Sequence, residues 1–418
     1  MTGSDKLVSP MKLIPAGLSI VAATYGLARY TYGLYLPDIQ ADLQLSIEVM
    51  GIIGSLSYAG YLAATLFGST LSGITGPRLP IIMGGLCASG GMALMSVSSG
   101  PWLLGLGVML AGTSPGLAYP PLSDAVTRLI REPSQDRTYA VINSGTSIGV
   151  IISGPAALLA GEEWRWAWAG FALFAALATA WNAPLMPNGR LFNRTGSKDL
   201  PRLRWAWLIK PRSQRLFMAA ALFGVSSAVY WTFAVNLLVT SGAMANTWSR
   251  TFWVLIGVCG IIGGCAGDLV RLFGLRRTFA GSLFACTLSI LGIAIWPDKL
   301  PVALASAMLF GATFILITGL FGIWSVNTFN DRPSAGFGAT FFLISAGQLI
   351  APTLAGIIAG IWNLTDAFIL AAALCFLTVS LGPSQEIYAM IEAEPEIRSK
   401  QKISNIAVRS AAEIENKK

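Results

Sequence analysis

Histidine is absent from the chain. Its absence removes the commonest metal ligand and the side chain that usually moves protons near neutral pH. Charge is scarce: Asp, Glu, Lys and Arg make up 11% of the 418 residues, against roughly 25% in an ordinary soluble domain. Cysteine is rare and odd in number, with Cys87, Cys259, Cys265, Cys286 and Cys375 all inside apolar runs. None forms a CxxC pair, so they read as small buried hydrophobes and a disulfide framework is excluded. Two catalytic signatures are also missing, the phosphate-cradling GxxxxGK(S/T) and HExxH; GxSxG is present twice, at Gly112–Gly116 and Gly145–Gly149. P-loop ATP hydrolysis and intramembrane metalloprotease chemistry therefore have no support, and a nucleophile elbow would lack the histidine base it needs. No cofactor, no metal and no enzymatic activity are expected.

Apolar residues are abundant, at 54% with a mean hydropathy of +0.64. A soluble fold cannot hide that much apolar surface, and a disordered chain would not carry it. The solvent implied is a lipid bilayer, whose core of about 30 Å is crossed by roughly 20 helical residues. Twelve runs qualify. In the first half they are Leu13–Leu36, Val49–Leu71, Leu79–Val97, Trp102–Leu122, Tyr139–Ala160 and Ala167–Leu185. In the second they are Leu216–Val239, Trp248–Val270, Thr278–Trp296, Val302–Thr328, Ala335–Gly360 and Ala367–Leu381. Their length excludes a β-barrel, and the 45 glycines suit close helix packing in lipid. The expected fold is an all-α integral membrane protein.

The stretch Met186–Gln214 holds Arg190, Arg194, Lys198, Arg202, Arg204, Lys210 and Arg212 against the single acid Asp199. It divides the chain into a six-helix bundle (1–185), a basic linker (186–214), a second six-helix bundle (215–382) and a tail (383–418). A cytoplasmic loop is basic without any nucleic-acid partner, so none is expected. The remaining cations agree. With twelve spans, Arg165, Arg250 and Lys299 lie on one side, Arg29 lies within a helix, and every other Lys and Arg of the 28 lies on the other side. The positive-inside rule then puts both termini in the cytoplasm, in a bacterial inner membrane. Leu13–Ala28 has the look of a signal peptide, but the apolar run continues to Leu36, longer than a signal core, and cleavage would leave eleven spans.

Traces of an internal repeat run through the two halves. Gly73, Gly76 and Arg78 follow the second run; Gly267 and Asp268 lie at the end of the eighth, and Gly274, Arg276 and Arg277 follow it. Asp136-Arg137 precedes Gly154-Pro155, and Asp331-Arg332 precedes Ala351-Pro352 at similar spacing. On these residues the chain resembles the major facilitator superfamily, in a poorly characterised bacterial branch of efflux-like permeases. The resemblance covers all but the tail. Trp164-Arg165-Trp166-Ala167-Trp168 is similar to that family's start of helix six. It implies secondary transport by alternating access in a twelve-helix, two-bundle fold. It also implies a cytoplasmic gate latched by Asp268, Arg276, Arg277 and Arg78, with Asp268 partly buried among arginines. Gly73 stands where the family carries an acid, so the second-half loop is the stronger latch. Gly154-Pro155 resembles an antiporter motif, but Leu158-Leu159 replaces its glycine pair, so antiport is not implied.

Arg29 is the sharpest single signal. It sits about 7 Å from the helix centre at 1.5 Å per residue, where a cation costs roughly 2.5–3.5 kcal/mol. No acid of the sequence falls at that depth, so the guanidinium is expected to face a cavity and meet an anion, whose paired oxygens its fork matches. Tyr25, Arg29 and Tyr32 fall at i, i+4, i+7, one face of an α-helix. Tyr58 and Tyr61 fall in the middle of the second run, and eight of the ten tyrosines lie in the first half. Ser114, Ser147, Tyr230 and Gln348 complete the expected substrate pocket. Pro115, Pro120, Pro155 and Pro352 are hinge candidates, Pro115 through a helix broken at mid-depth. The expected partners are the bilayer, a small-molecule substrate and a coupling ion, a proton or an exchanged anion, with the chain acting as a monomer. Organic-anion transport leads. Multidrug or sugar-type efflux is the alternative, and a non-transport receptor would need a folded extramembrane domain that the sequence lacks.

Overall fold

The computed structural model describes residues 9–161, 163–189, 211–240, 246–329 and 333–383. Most of the basic linker and nearly all of the tail lie outside these residues. Among the described residues, eleven helices are long and apolar enough to cross a membrane, and a twelfth apolar helix, Leu364–Ser380, has 17 residues. Every regular element among the described residues is helical, and the protein is an integral membrane protein whose described helices fall into a half before the linker and a half after it.

The first crossing is composite: α1 (Pro10–Val21), a π-helix (Ala22–Tyr30) and α2 (Tyr32–Leu43). Ser9 caps α1 with its side chain, and Pro10 sits at the first position, where its missing N–H costs nothing. Then follow α3 (Ile47–Thr75), capped by Ser46, α4 (Arg78–Ser96) and α5 (Pro101–Leu129). The fifth crossing joins α6 (Glu132–Asn143) to α7 (Gly145–Ala160), with Ser144 between them, and α8 (Trp164–Leu185) closes the first half. The second half comprises α9 (Pro211–Thr240), α10 (Asn246–Gly260), a 3₁₀ turn (Ile261–Cys265) and α11 (Ala266–Phe273). It continues through α12 (Leu275–Ile295), α13 (Leu300–Thr328), α14 (Pro333–Ile361) and α15 (Leu364–Ser380).

Two turns repeat between the halves. α3 ends at Gly76 with φ 88°, and α11 ends at Gly274 with φ 79°, a left-handed setting that favours glycine. The face of the bilayer that carries these turns and the start of α1 is called proximal below, and the opposite face distal. α5 runs unbroken through Pro115, Pro120 and Pro121, so the expected mid-depth break there is not present. The irregular backbone lies instead in the first crossing.

Within the first half α5 packs on α3 and α4, and α4 on α8; within the second, α9 packs on α14 and α12 on α13 and α15. The halves meet along α3–α14, α7–α10 and α2–α9. Glycines let the backbones touch. A Cβ at Gly33 would strike the Trp231 carbonyl oxygen, one at Gly51 the Pro352 carbonyl oxygen, and one at Gly257 would lie 2.8 Å from Ile151. Hydrogen bonds cross the same seam. Asn236 donates to Gln40 at 2.7 Å, Arg250 to the Gly161 carbonyl at 2.8 Å, and the Thr353 amide to Ser55 at 3.1 Å. These contacts lie at mid-depth or nearer the distal face.

Candidate functional site

The π-helix exists because tertiary contacts pull the backbone close on one side. Gly26 lies against α7, where a Cβ would come 2.5 Å from Gly149 Cα, and a Cβ at Gly149 would come equally near the Ala22 carbonyl. At the end of the segment Thr31 Oγ1 donates to the Gly26 carbonyl, five residues back, at 2.9 Å. An i→i+5 ladder holds more residues per turn than an α-helix, and such segments are frequent at functional sites. It alters the face that α-helical spacing assigns.

Arg29 is 6% exposed. Its Nη2 donates to Gln348 Oε1 on α14 at 2.8 Å, across the seam between the halves. Four phenol rings surround the guanidinium. From Cζ the ring centroids lie 3.7 Å away for Tyr61, 5.2 Å for Tyr58, 5.5 Å for Tyr30 and 5.6 Å for Tyr25. Among the described residues no carboxylate pairs with Arg29, and its Nε is buried without a hydrogen-bond partner. A lone buried ion costs several kcal/mol even after relaxation. Cation–π contacts contribute about 2 kcal/mol or more when desolvated, so the cage offsets part of that cost and supplies no negative charge.

The sequence-predicted residues fall into separate places. Tyr25 is in the cage, its hydroxyl 3.1 Å from that of Tyr61. Tyr58 and Gln348 are there too. Tyr32 stands outside the ring of four, its hydroxyl donating to the Met50 carbonyl at 3.0 Å. The π segment is the reason, since it breaks the i, i+4, i+7 face. Ser114 donates to the Ala111 carbonyl of its own helix at 2.6 Å. Ser147 sits where α7 meets α10, at Gly257 and Gly260. The Tyr230 hydroxyl is 2.7 Å from Ser306, and its ring stacks on Phe310 at 3.7 Å inside the second half. Its neighbours Trp231 and Thr232 reach the seam instead: Trp231 stacks on Tyr30 at 4.4 Å. Tyr61, Tyr30, Trp231 and Ser57 are the members that spacing did not single out. The pair Tyr58 and Tyr61 at mid-helix was the available signal.

From the cage a series of phenols runs toward the proximal face. Tyr25 lies 6.1 Å from Tyr61 and 5.2 Å from Tyr119, and Tyr119 lies 5.5 Å from Tyr139, centroid to centroid. The Tyr119 hydroxyl is hydrogen-bonded to exposed Asn143 at 2.8 Å. Tyr25, Tyr119 and Tyr139 are half-buried, unlike Tyr30 and Tyr58.

Among the described residues no ion pair joins the gate candidates Asp268, Arg276, Arg277 and Arg78 to one another. Asp268 has a side chain 72% exposed and, among the described residues, pairs with Arg271 of its own helix at 3.8 Å. The expectation of a partly buried Asp268 is corrected: α11 presents it to solvent. Arg276 and Arg277 are exposed, and Arg78 is half-buried. In the first half Ser72 donates to Asp124 at 2.6 Å, so an acid from α5 stands beside the loop in which Gly73 supplies none. Pro155 lies within α7. Pro352, on α14, has no N–H for the Gln348 carbonyl four residues back, which loosens the helix beside the partner of Arg29.

Two helical halves that meet along a seam, with a caged cation on it, define a membrane transporter of the major facilitator type. The chain belongs to the family described as "Uncharacterised MFS-type transporter YbfB", whose profile matches residues 21–382. Over 128 residues it is 35% identical to the multidrug resistance protein MdtH of Edwardsiella ictaluri (strain 93-146) and 32% identical to that of Yersinia pestis (strain Pestoides F). Each match covers 30% of this chain and 32% of the relative, so the chain spans about a third of the length of these relatives. Its fold is similar to that of the nucleoside transporter NupG, with a TM-score of 0.71 and 11% identity over 88% of this chain and 98% of that one. It is also similar to the human organic anion transporter MFSD10, with a TM-score of 0.65 and 16% identity over 90% of this chain and 99% of that one.

Proposed function

We propose that the protein is a secondary transporter that carries a small organic anion across a bacterial inner membrane by alternating access. The observation that carries this reading is Arg29, a buried guanidinium with no carboxylate partner among the described residues and an unused Nε, held on the seam between the halves. A carboxylate offers two oxygens to that fork and neutralises the charge. An anion that takes Nη2 releases Gln348, so binding and the separation of the halves are coupled through one hydrogen bond. In this reading the structure is closed on the distal face, and substrate approaches from the proximal face past Tyr139, Tyr119 and Tyr25. Both termini lie in the cytoplasm, the coupling ion is a proton or an exchanged anion, and the monomer is the working unit.

The likeness to multidrug resistance proteins over 128 residues favours a second reading, efflux of neutral or acidic drugs. Substitutions at Arg29 separate the two. Arg29→Gln abolishes transport of organic acids in proteoliposomes while a thermal melt in detergent shows a folded protein. Arg29→Lys keeps the charge without the planar fork and restores only part of it. Acid transport that survives Arg29→Gln would overturn the anion reading, and so would export confined to uncharged compounds.

A further inference from the structure

Two arginines of the distal face differ in what they hold. Arg165, on α8, pairs with Asp42 at 2.6 Å, donates to the Ser98 carbonyl at 2.8 Å and lies 4.4 Å from the centre of the Trp164 ring. All of these partners belong to its own half. Arg250, on α10, reaches across the seam instead. Its Nη2 donates to the carbonyl of Gly161, the residue that ends α7, at 2.8 Å. Arg250 is 7% exposed. The two helices touch beside it, since a Cβ at Gly154 of α7 would come 3.2 Å from the Arg250 carbonyl oxygen.

Both ends of that bond suit it. The last carbonyls of a helix have no partner within the helix and carry partial negative charge, which a cation complements. Gly161 has φ 62° and ψ −122°, a backbone setting open to glycine and closed to other residues. Among the described residues nothing lies within 4 Å of a Cβ placed there, so crowding does not call for glycine. The conformation does, and it sets where the carbonyl points. Gly161 is half-buried, so water reaches the pair and the desolvation that opposes closure is partial. We infer that Arg250 and the Gly161 carbonyl form the latch of the distal face. The inference rests on the alternating-access reading. A hydrogen bond to a charged group corresponds to roughly 10- to 100-fold in an equilibrium constant. For Arg250 all of that falls on the distally closed state, because the bond joins the halves. The bonds of Arg165 stay within one half, persist in both states and set no balance between them.

Labelling of two cysteine reporters by an impermeant maleimide tests the latch, in the full chain with its native cysteines replaced by alanine. Thr232→Cys lies buried on the closed seam and is probed from the distal side; Asn143→Cys is exposed and is probed from the proximal side. Arg250→Gln speeds labelling of the distal reporter about tenfold or more and slows that of the proximal one. Arg250→Lys keeps a charged donor without the planar fork and restores part of the difference. Gly161→Ala redirects the carbonyl without touching Arg250 and reproduces the shift, and the double variant adds little to either single change. Arg165→Gln leaves both rates unaltered. Unchanged rates in Arg250→Gln overturn the latch, as does a shift in the opposite sense. Faster labelling at both faces marks a loosened fold and overturns it too, as do additive effects of the two substitutions. Gly51→Ala separates this inference from the reading beneath it. If Gly51→Ala moves the reporters in opposite senses and Arg250→Gln moves neither, only the latch fails. If Gly51→Ala moves neither, alternating access fails with it.

Discussion

Gly51→Ala is expected to pry open the distal seam. The added methyl would lie under 3.0 Å from the Pro352 carbonyl oxygen, a separation real Cβ atoms do not show, and the atom struck is backbone that cannot swing away. Relief needs α3 and α14 to part by about 1 Å, and overpacking of this kind costs about 1–3 kcal/mol. The cost falls only on the state in which the two helices touch. A differential of that size shifts a two-state equilibrium roughly 5- to 150-fold. The assay is labelling of Thr232→Cys by an impermeant maleimide applied from outside the cell, in a chain whose native cysteines are replaced by alanine. Thr232 is 4% exposed and its methyl faces Gly54, so labelling is slow while the seam is shut and accelerates when Gly51→Ala opens it. Two glycines calibrate the result. Gly360→Ala also meets a close neighbour, but that neighbour is the flexible end of Glu48; Gly281 has nothing within 4 Å. Both should label at the unaltered rate. If Gly51→Ala labels no faster than Gly281→Ala, the α3–α14 contact is not a seam that opens.

The remaining expectations concern single side chains. Tyr61→Leu removes the ring nearest the guanidinium and should lower the stability of the purified protein by about 2 kcal/mol, whereas Tyr61→Phe keeps the ring and loses only the contact with Tyr25. In a double-mutant cycle with Arg29→Gln the leucine cost should shrink, and equal costs for Phe and Leu would refute the cage. Tyr32→Phe should cost about 0.5–1.5 kcal/mol through the lost bond to Met50 and leave transport kinetics unchanged; a large fall in substrate affinity would return Tyr32 to the binding site. An exposed pair such as Asp268–Arg271 is worth about 0–1 kcal/mol, so Asp268→Asn should leave the melting temperature unaltered. If Asp268 latches the proximal face when that face closes, the same change lowers turnover without changing substrate affinity, and equal losses in both would argue against a latch.

Much of the fold was legible because bilayer thickness fixes run length, and a run such as Trp102–Leu122 could only be a crossing. Ends moved where polar caps extend a helix beyond its apolar run. α3 begins at Ile47 because Ser46 caps it, and α5 continues to Leu129, past the last strongly apolar stretch. The site was legible in part. Arg29 stood out because a lone cation at membrane depth is costly whatever the fold. Its surroundings were harder to read because face assignment presumes α-helical rotation per residue, and Gly26 against Gly149 imposes a different rotation that no local sequence rule encodes. Tyr230 and Trp231 show the same limit. They are adjacent, both aromatic and both buried, and only the packing of α9 decides that Tyr230 faces Phe310 while Trp231 faces Tyr30. Proline was a poor guide for a physical reason: the carbonyl that Pro115 frees, that of Ala111, accepts from the Ser114 hydroxyl of the same helix, so the helix keeps its course.

The π segment bears on how this chain is compared with its relatives. A turn closed from i to i+5 contains one residue more than a turn closed from i to i+4, so a first helix that is α throughout reaches the same depth with fewer residues. A relative built that way would match this chain on either side of Ala22–Tyr30 with an offset of about one position, and pairing the two without a gap would set Arg29 opposite a residue from another face. Correspondence along this helix is therefore a matter of depth and direction in the membrane. Whether a relative carries the same cation is decided by which side chain occupies the space between Tyr61 and Gln348, at whatever number it falls.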